Sequence, residues 1–349
     1  MPISVVAGGQ FGSEGKGKVS AAVANRSNAA AVIRVGGTNS GHTTYDHAGR
    51  RWALRQIPAG IVACDGIVIL PSGSIVDPTI FAAEVASLGL GRDRVFVSPF
   101  ATLITPEDRA SESEAGLVGR IGSTGSGTGA ALLRRMARTH GTAFAGDHPD
   151  LRPYCADVDA MLDGILRKGG RVVIEGTQGF GLSLLHGHVH PHATVRDTTA
   201  AAFLAESGLS PRDVDDVTLV IRAFPIRVAG TSGPLPNETR WDLLARRAGL
   251  PEDLVELTTA TGKVRRVAEF DAAVVRRAVR ANRPDRIALN HMDYFDADVR
   301  RGTLDEAART FVEREVEAAI GQRVDWIGNS PQALIERADL MALPGRKVA

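Results

Sequence analysis

Apolar residues gather in short runs at 3–7, 31–35, 67–70, 95–97, 172–174, 217–223 and 286–290, interrupted only by Ser4, Arg34, Thr218 and Arg222 and flanked in the last by Arg286 and Asn290. Runs of this length, without polar alternation, predict strands buried on both faces. Between them apolar positions recur at helical spacing. Over 270–282 and 303–320 they form one stripe, with arginine and glutamate on the opposite side. Alternating strands and helices predict an α/β protein with a large, mostly parallel central sheet flanked by helices. Ligands of such sheets collect outside the carboxyl ends of the strands. Segments rich in glycine and threonine follow the runs there, at 36–44, 122–129, 175–181 and 258–262. The polar stretch 107–129, full of small residues, predicts a long mobile loop. No linker composition and no internal repeat interrupts the chain. Residues 1–349 are therefore expected to form one domain with loop insertions.

Composition narrows the class. The 349 residues are 44% hydrophobic and 23% charged, with a formal net charge of +1. That is the make-up of a soluble globular protein with a sizeable core. The near-neutral balance argues against nucleic acid or a membrane surface as partner. Cys64 and Cys155 have no metal-ligand spacing and read as free thiols of a reducing compartment. The first residues lack a charged segment leading into an apolar one, and no run reaches the roughly 18 apolar residues a membrane span needs. A cytoplasmic protein is expected.

The richest chemistry lies at 8–18, where a strand runs into a glycine-rich turn followed by Lys16 and Lys18. Glycines let backbone N–H groups crowd around an anion, and a helix start adds partial positive charge. The segment from Gly12 nearly meets the pattern G-x-x-x-x-G-K-[ST], but Val19 stands in the final position. The hydroxyl that would reach magnesium is missing, so the turn is P-loop-related but not that of an ordinary P-loop ATPase. At 36–44, Thr38 and Asn39 can donate to oxyanions, and His42 is placed to act as a general acid toward a phosphoryl oxygen. Segment 121–129 offers Ser123 and Thr124 as a second anion cradle or, alternatively, is a flexible connector. After the run at 172–174, Gln178 presents both a donor and an acceptor to a base edge. His186, His188, His190 and His192 alternate along a loop, an arrangement that resembles a zinc site only weakly. Segment 258–266 joins hydroxyls to Lys263, Arg265 and Arg266, which suits a dicarboxylate or a solvated basic loop.

In order and spacing, the segments 12–18, 34–44, 54–61, 121–129, 173–179, 186–199, 222–236, 261–271 and 290–293 resemble adenylosuccinate synthetase. The resemblance implies a cytoplasmic homodimer that uses a nucleoside triphosphate and magnesium to phosphorylate the purine O6. The amino group of L-aspartate then displaces that phosphate. By the same resemblance, Gly12, Gly15, Lys16 and Gly17 cradle the triphosphate, with Ser13, Gly41, His42 and Thr43 beside it. Asp293, Gly328, Ser330 and Pro331 match the pocket for its base. His42 is the implied general acid, and the Gly41 carbonyl the implied Mg2+ ligand. Asn39, Ser123, Thr124 and Thr194 match the nucleotide monophosphate site, Gln178 reads the purine, and Arg138 reaches the neighbouring subunit's site. Thr259, Thr261, Gly262, Lys263 and Arg265 make up the aspartate loop.

The departures redirect the substrate. Ser13 stands where cellular members carry the aspartate that takes the N1 proton of IMP, and Leu185 replaces a second aspartate before the His-Gly pair. A serine is no base at neutral pH. Losing carboxylates near the purine admits a 2-amino group, and the pattern resembles the phage branch of the family. Members of that branch join dGMP to L-aspartate with ATP to give N6-succino-2-amino-2′-deoxyadenylate, a diaminopurine precursor for DNA. His291 in place of a family lysine fits ATP, while Asp293 keeps GTP open. Two other readings stay beside this one: an IMP- and GTP-using adenylosuccinate synthetase, and a non-catalytic nucleotide-binding module.

Overall fold

The apolar runs become strands of one nine-stranded sheet in a computed structural model that describes residues 2–138, 140–258 and 262–342. In chain order the strands are β1 (Ile3–Gly8), β2 (Ala31–Arg34), β3 (Ile67–Leu70), β4 (Val95–Val97), β5 (Val172–Glu175), β6 (Val214–Arg222), β7 (Arg286–Asn290), β8 (Trp326–Ile327) and β9 (Ile335–Glu336). Across the sheet they run β9-β8-β7-β6-β1-β5-β2-β3-β4. Every neighbour pairing is parallel except β8 with β9. Each central strand feeds both faces. Ile3, Val5, Ala7, Ile33, Ile174 and Leu219 pack into one core, while Val6, Val32, Val173, Val220 and Ala288 pack into the other. This two-sided burial is why the runs show no polar alternation.

The apolar character stops abruptly at the carboxyl ends. Arg34 of β2 stands in register beside Glu175 of β5, and Arg222 of β6 beside Asn290 of β7. All four side chains are buried. Chemistry therefore collects on this rim, where sheets of this kind hold their ligands.

Segment 107–129 is not the expected mobile loop. Most of it is helical, in Pro106–Glu114 and Leu117–Ile121, with a third helix, Thr128–Met136, following. Thr105 and Asp108 close a reciprocal capping box at the first helix, and Pro106 occupies the first turn. No hydrophobic stripe marks this helix because its inward residues are the carboxylates Asp108 and Glu112. Asp108 pairs with Arg134, and Glu112 accepts from Gly127 N and Gly129 N, both at 2.8 Å. The two expected stripes become helices with shifted starts, Ala272–Asn282 before β7 and a continuous helical stretch from Glu306 to Ile320, and a further helix, Lys16–Arg26, follows β1. No helix among the described residues is long and apolar enough to cross a membrane.

Candidate active site

The turn between β1 and the helix Lys16–Arg26 is built from left-handed backbone. Gly12 and Gly15 have φ of 88° and 89°, and Ser13 adopts the same region at 57°. Inside the turn the Glu14 carboxylate accepts from Gln10 N (3.1 Å), Gly12 N (2.8 Å) and Lys16 Nζ (2.5 Å). Glu14 and Lys16 are both buried. The helix itself starts without a side-chain cap or an acidic residue in its first turn. Its leading N–H groups and dipole are thus available to an external anion.

Close packing fixes what surrounds that helix start. A Cβ on Gly17 would lie 2.7 Å from the Thr43 carbonyl, so the hairpin strand His42–Tyr45 rests directly on the first turn. A Cβ on Gly328 would meet Asn290 Oδ1 and Lys18 Nζ, and Lys18 donates to the carbonyls of Ser330 (2.8 Å) and Ala333 (3.1 Å). Burial lowers the Lys18 pKa to about 8, against the pull of Asp293. Ser330 is half-buried and Pro331 exposed. Asp293 is buried, is held by Arg300 at 2.9 Å, and has its carboxyl pushed upward by burial.

His42 turns Nδ1 toward Glu175 Oε1 at 2.6 Å, and Arg34 Nη1 donates to the same oxygen at 2.9 Å. Burial and the nearby Arg34 lower the imidazole to about 4, so it is neutral at pH 7. Burial alone would raise Glu175, but His42 and Arg34 hold it down at about 2. The neutral ring donates a hydrogen bond from Nδ1–H to the Glu175 carboxylate, leaving Nε2 buried and without a partner. A polyanion at that nitrogen would raise its pKa and protonate it.

One cavity gathers Gly12, Ser13, Lys16, Asn39, Gly41, His42, Thr124, Gln178, Thr258 and Arg265. It adjoins a second cavity that shares Phe11, Asn39, Thr124 and Gln178 and adds Ser123, Thr194 and Arg227. Residues far apart in sequence thus line two adjoining cavities. Arg265 reaches the cavity while paired with Glu256 at 2.6 Å, and Glu256 also binds Arg222, whose Nη1 donates to the Ser13 carbonyl at 3.0 Å. Burial opposes ionisation of Glu256, yet Arg222, His291 and Arg265 keep it well below the usual carboxylate range.

Several expected residues lie elsewhere. Gly262 and Lys263 are exposed at the base of the basic loop, and Thr259 and Thr261 fall outside the described residues. Arg138 is exposed just past the helix Thr128–Met136. Leu185 is 67% exposed and lines neither cavity, so the expectation that it shapes the purine site has no support in its position. The expected second anion cradle is partly taken, because Glu112 occupies the N–H groups at the start of Thr128–Met136. His186 stacks on Phe180, and His188 contacts Arg277. Among the described residues no three His, Cys, Asp or Glu side chains form a metal cluster.

Glu14, Arg34, Glu175, Arg222 and Glu256 escaped the reading of the sequence. Arg34 and Glu175 carried a signal: each is a charge closing an otherwise apolar strand.

The profile of adenylosuccinate synthetase matches residues 5–146 and 142–300. The adenylosuccinate synthetase of Pyrococcus sp. (strain ST700) is 36% identical, covering 97% of this chain and 99% of its own length. The chain belongs to the adenylosuccinate synthetase family. As a family member it is a ligase that forms a C–N bond. The adenylosuccinate synthetase of Archaeoglobus fulgidus is 35% identical over 95% of this chain and 96% of its own. Among solved structures, the cyanophage S-2L succinoaminodeoxyadenylate synthetase (PurZ), bound to dGMP and to dATP as an energy donor, superposes with a TM-score of 0.80. It is 27% identical and covers 96% of this chain and 95% of its own. The fully ligated adenylosuccinate synthetase of Plasmodium falciparum shares the fold, with a TM-score of 0.84 at 19% identity over 97% of this chain and 100% of its own.

Proposed function

We propose that this family member joins dGMP to L-aspartate at the expense of ATP, giving N6-succino-2-amino-2′-deoxyadenylate. The observation that carries this reading is Ser13: a hydroxyl faces the cavity beside Lys16, His42 and Gln178 where a general base would stand. The likeness to a solved enzyme bound to dGMP and dATP supports it. In this reading the free helix start and Lys16 hold the triphosphate. Protonated on binding, His42 donates from Nε2 to the phosphoryl group as it passes to the purine O6. Gln178 reads the purine edge, and Asn39, Thr124 and Thr194 face the nucleotide's own phosphate. Arg265 receives the aspartate, whose amine attacks C6 as the phosphate leaves. Ser13 cannot hold the N1 proton, which passes to water or to a phosphate oxygen.

Mg2+ fits this cavity as a cation carried by the triphosphate. Gly41 through its carbonyl and Ser13 through its hydroxyl would be oxygen ligands for it, and no carboxylate among the described residues lines this cavity. Such an ion neutralises phosphate charge. A homodimer in which Arg138 completes the neighbouring site belongs to the same proposal, as does a single domain over 1–349.

The names of the archaeal relatives favour a second reading, an adenylosuccinate synthetase that takes IMP and GTP. Phosphate release with Mg2+ and L-aspartate separates the two. Turnover with dGMP and ATP, and little with IMP, supports the first reading; the reverse preference replaces it with the second.

A further inference from the structure

Among the described residues, Arg34, Arg222 and Arg227 are the arginines buried to 1% exposure or less. Arg34 is paired with Glu175 and Arg222 with Glu256, but Arg227 has no carboxylate partner. Its guanidinium lies over the Phe11 ring, 4.7 Å from the centroid. Nη1 donates to the Pro234 carbonyl at 3.3 Å and Nη2 to the His192 carbonyl at 3.2 Å. Nε is buried and unpartnered. With five N–H groups and two such bonds, most of its donor capacity is unused. The nearest charge is like-signed: burial first, and then Arg266, lower its pKa to about 10. Gly233 allows this closeness, since a Cβ there would collide with Nη1.

A buried cation without a counter-ion is costly, and proteins keep one where an anion arrives from outside. Arg227 lines the cavity of Thr124, Gln178 and Thr194, not the adjoining one that holds Lys16 and His42. We propose that Arg227 is an anion-binding residue, supplied within the same chain, for the phosphate monoester of the purine nucleotide substrate. The inference rests on the reading that this cavity takes a nucleoside monophosphate. It makes the site cationic before any partner subunit contributes Arg138.

Calorimetry with inorganic phosphate, dGMP, deoxyguanosine and ATP tests it. Arg227→Met is expected to weaken phosphate and dGMP by about 10- to 100-fold, the size of a lost charge-assisted contact, while leaving deoxyguanosine and ATP within about twofold. Arg227→Lys is expected to fall between. Equal loss for deoxyguanosine, a loss confined to ATP, or unchanged phosphate binding would each overturn the proposal. Should Arg227→Met not fold, the wild-type protein decides by NMR of the arginine side chains. Inorganic phosphate is expected to shift the Arg227 Nε resonance, and no shift at saturation overturns the assignment. Arg227-dependent phosphate binding in a protein that turns over neither dGMP nor IMP would sustain this inference and defeat the proposed function.

Discussion

The imidazole of His42 and the carboxylate of Glu175, 133 positions apart in sequence, lie 2.6 Å from each other at the rim of the sheet. The pair leaves a mark on stability against pH. His42 titrates at about 4 when folded against an ordinary 6.5, so between those values the unfolded chain binds a proton the folded chain refuses. Stability therefore falls as pH drops from 6.5 to 4, at a slope approaching about 1.4 kcal/mol per pH unit for this one group. Glu175, held at about 2 against 4.5, adds a second loss below pH 4.5. Denaturant melts from pH 7 to 4 should give a shallower slope for His42→Asn than for the parent. Equal slopes would mean that His42 is not held neutral by burial and Arg34 in the folded protein.

Ser13 sits at a φ of 57°, a region that aspartate tolerates at least as well as serine. Ser13→Asp should therefore fold with little change in Tm. It is expected to raise turnover of IMP and lower turnover of dGMP, each by about tenfold or more if a carboxylate in the cavity decides the substrate. A preference that does not move would remove Ser13 as the determinant.

Gly17 lies inside a helix, where alanine would ordinarily gain about 1 kcal/mol. Here the added methyl would lie 2.7 Å from the Thr43 carbonyl and 3.0 Å from the His42 Cβ. Overpacking of this kind costs about 1–3 kcal/mol, so the clash outweighs the propensity. Gly17→Ala should lower Tm and cut kcat, because the strand that yields carries His42. A stabilised, fully active variant would show that the hairpin does not rest on the helix.

Arg138 stands exposed, away from its own chain's cavities. If it serves a neighbour, Arg138→Leu and His42→Asn should each be inactive alone yet complement when mixed. A mixed dimer would then keep one intact site, and equal mixing should restore roughly a quarter of wild-type activity. No recovery in verified mixed dimers would count against shared sites.

The sheet was legible because burial on both faces leaves apolar runs such as 172–174. The glycine-rich turn was legible because its glycines are forced by positive φ and close contact. Helix Pro106–Glu114 was not, since it buries Asp108 and Glu112 against N–H groups and an arginine rather than against aliphatic side chains. Its stop and start signals, Thr105 and Pro106, were present in the chain but carried no stripe to join them. The pairing of His42 with Glu175 was equally hidden. Strand order brings those residues together, and local pattern carries no strand order. Leu185 misled in the opposite way: a motif position aligned well while its side chain pointed to solvent.

Glu14 gives the glycine-rich turn an anion of its own. Its carboxylate already holds the Gln10 and Gly12 N–H groups and neutralises Lys16. A phosphate that recruits Lys16 thus arrives as a competitor, and its affinity measures the difference between two anions rather than the strength of one. Small anions of low charge gain little by that exchange, whereas a triphosphate, with further oxygens for the uncapped helix start, gains from both. A ligand that engages Lys16 alone must displace the Glu14 carboxylate, whereas one that also reaches the uncapped helix start gains contacts Glu14 does not hold.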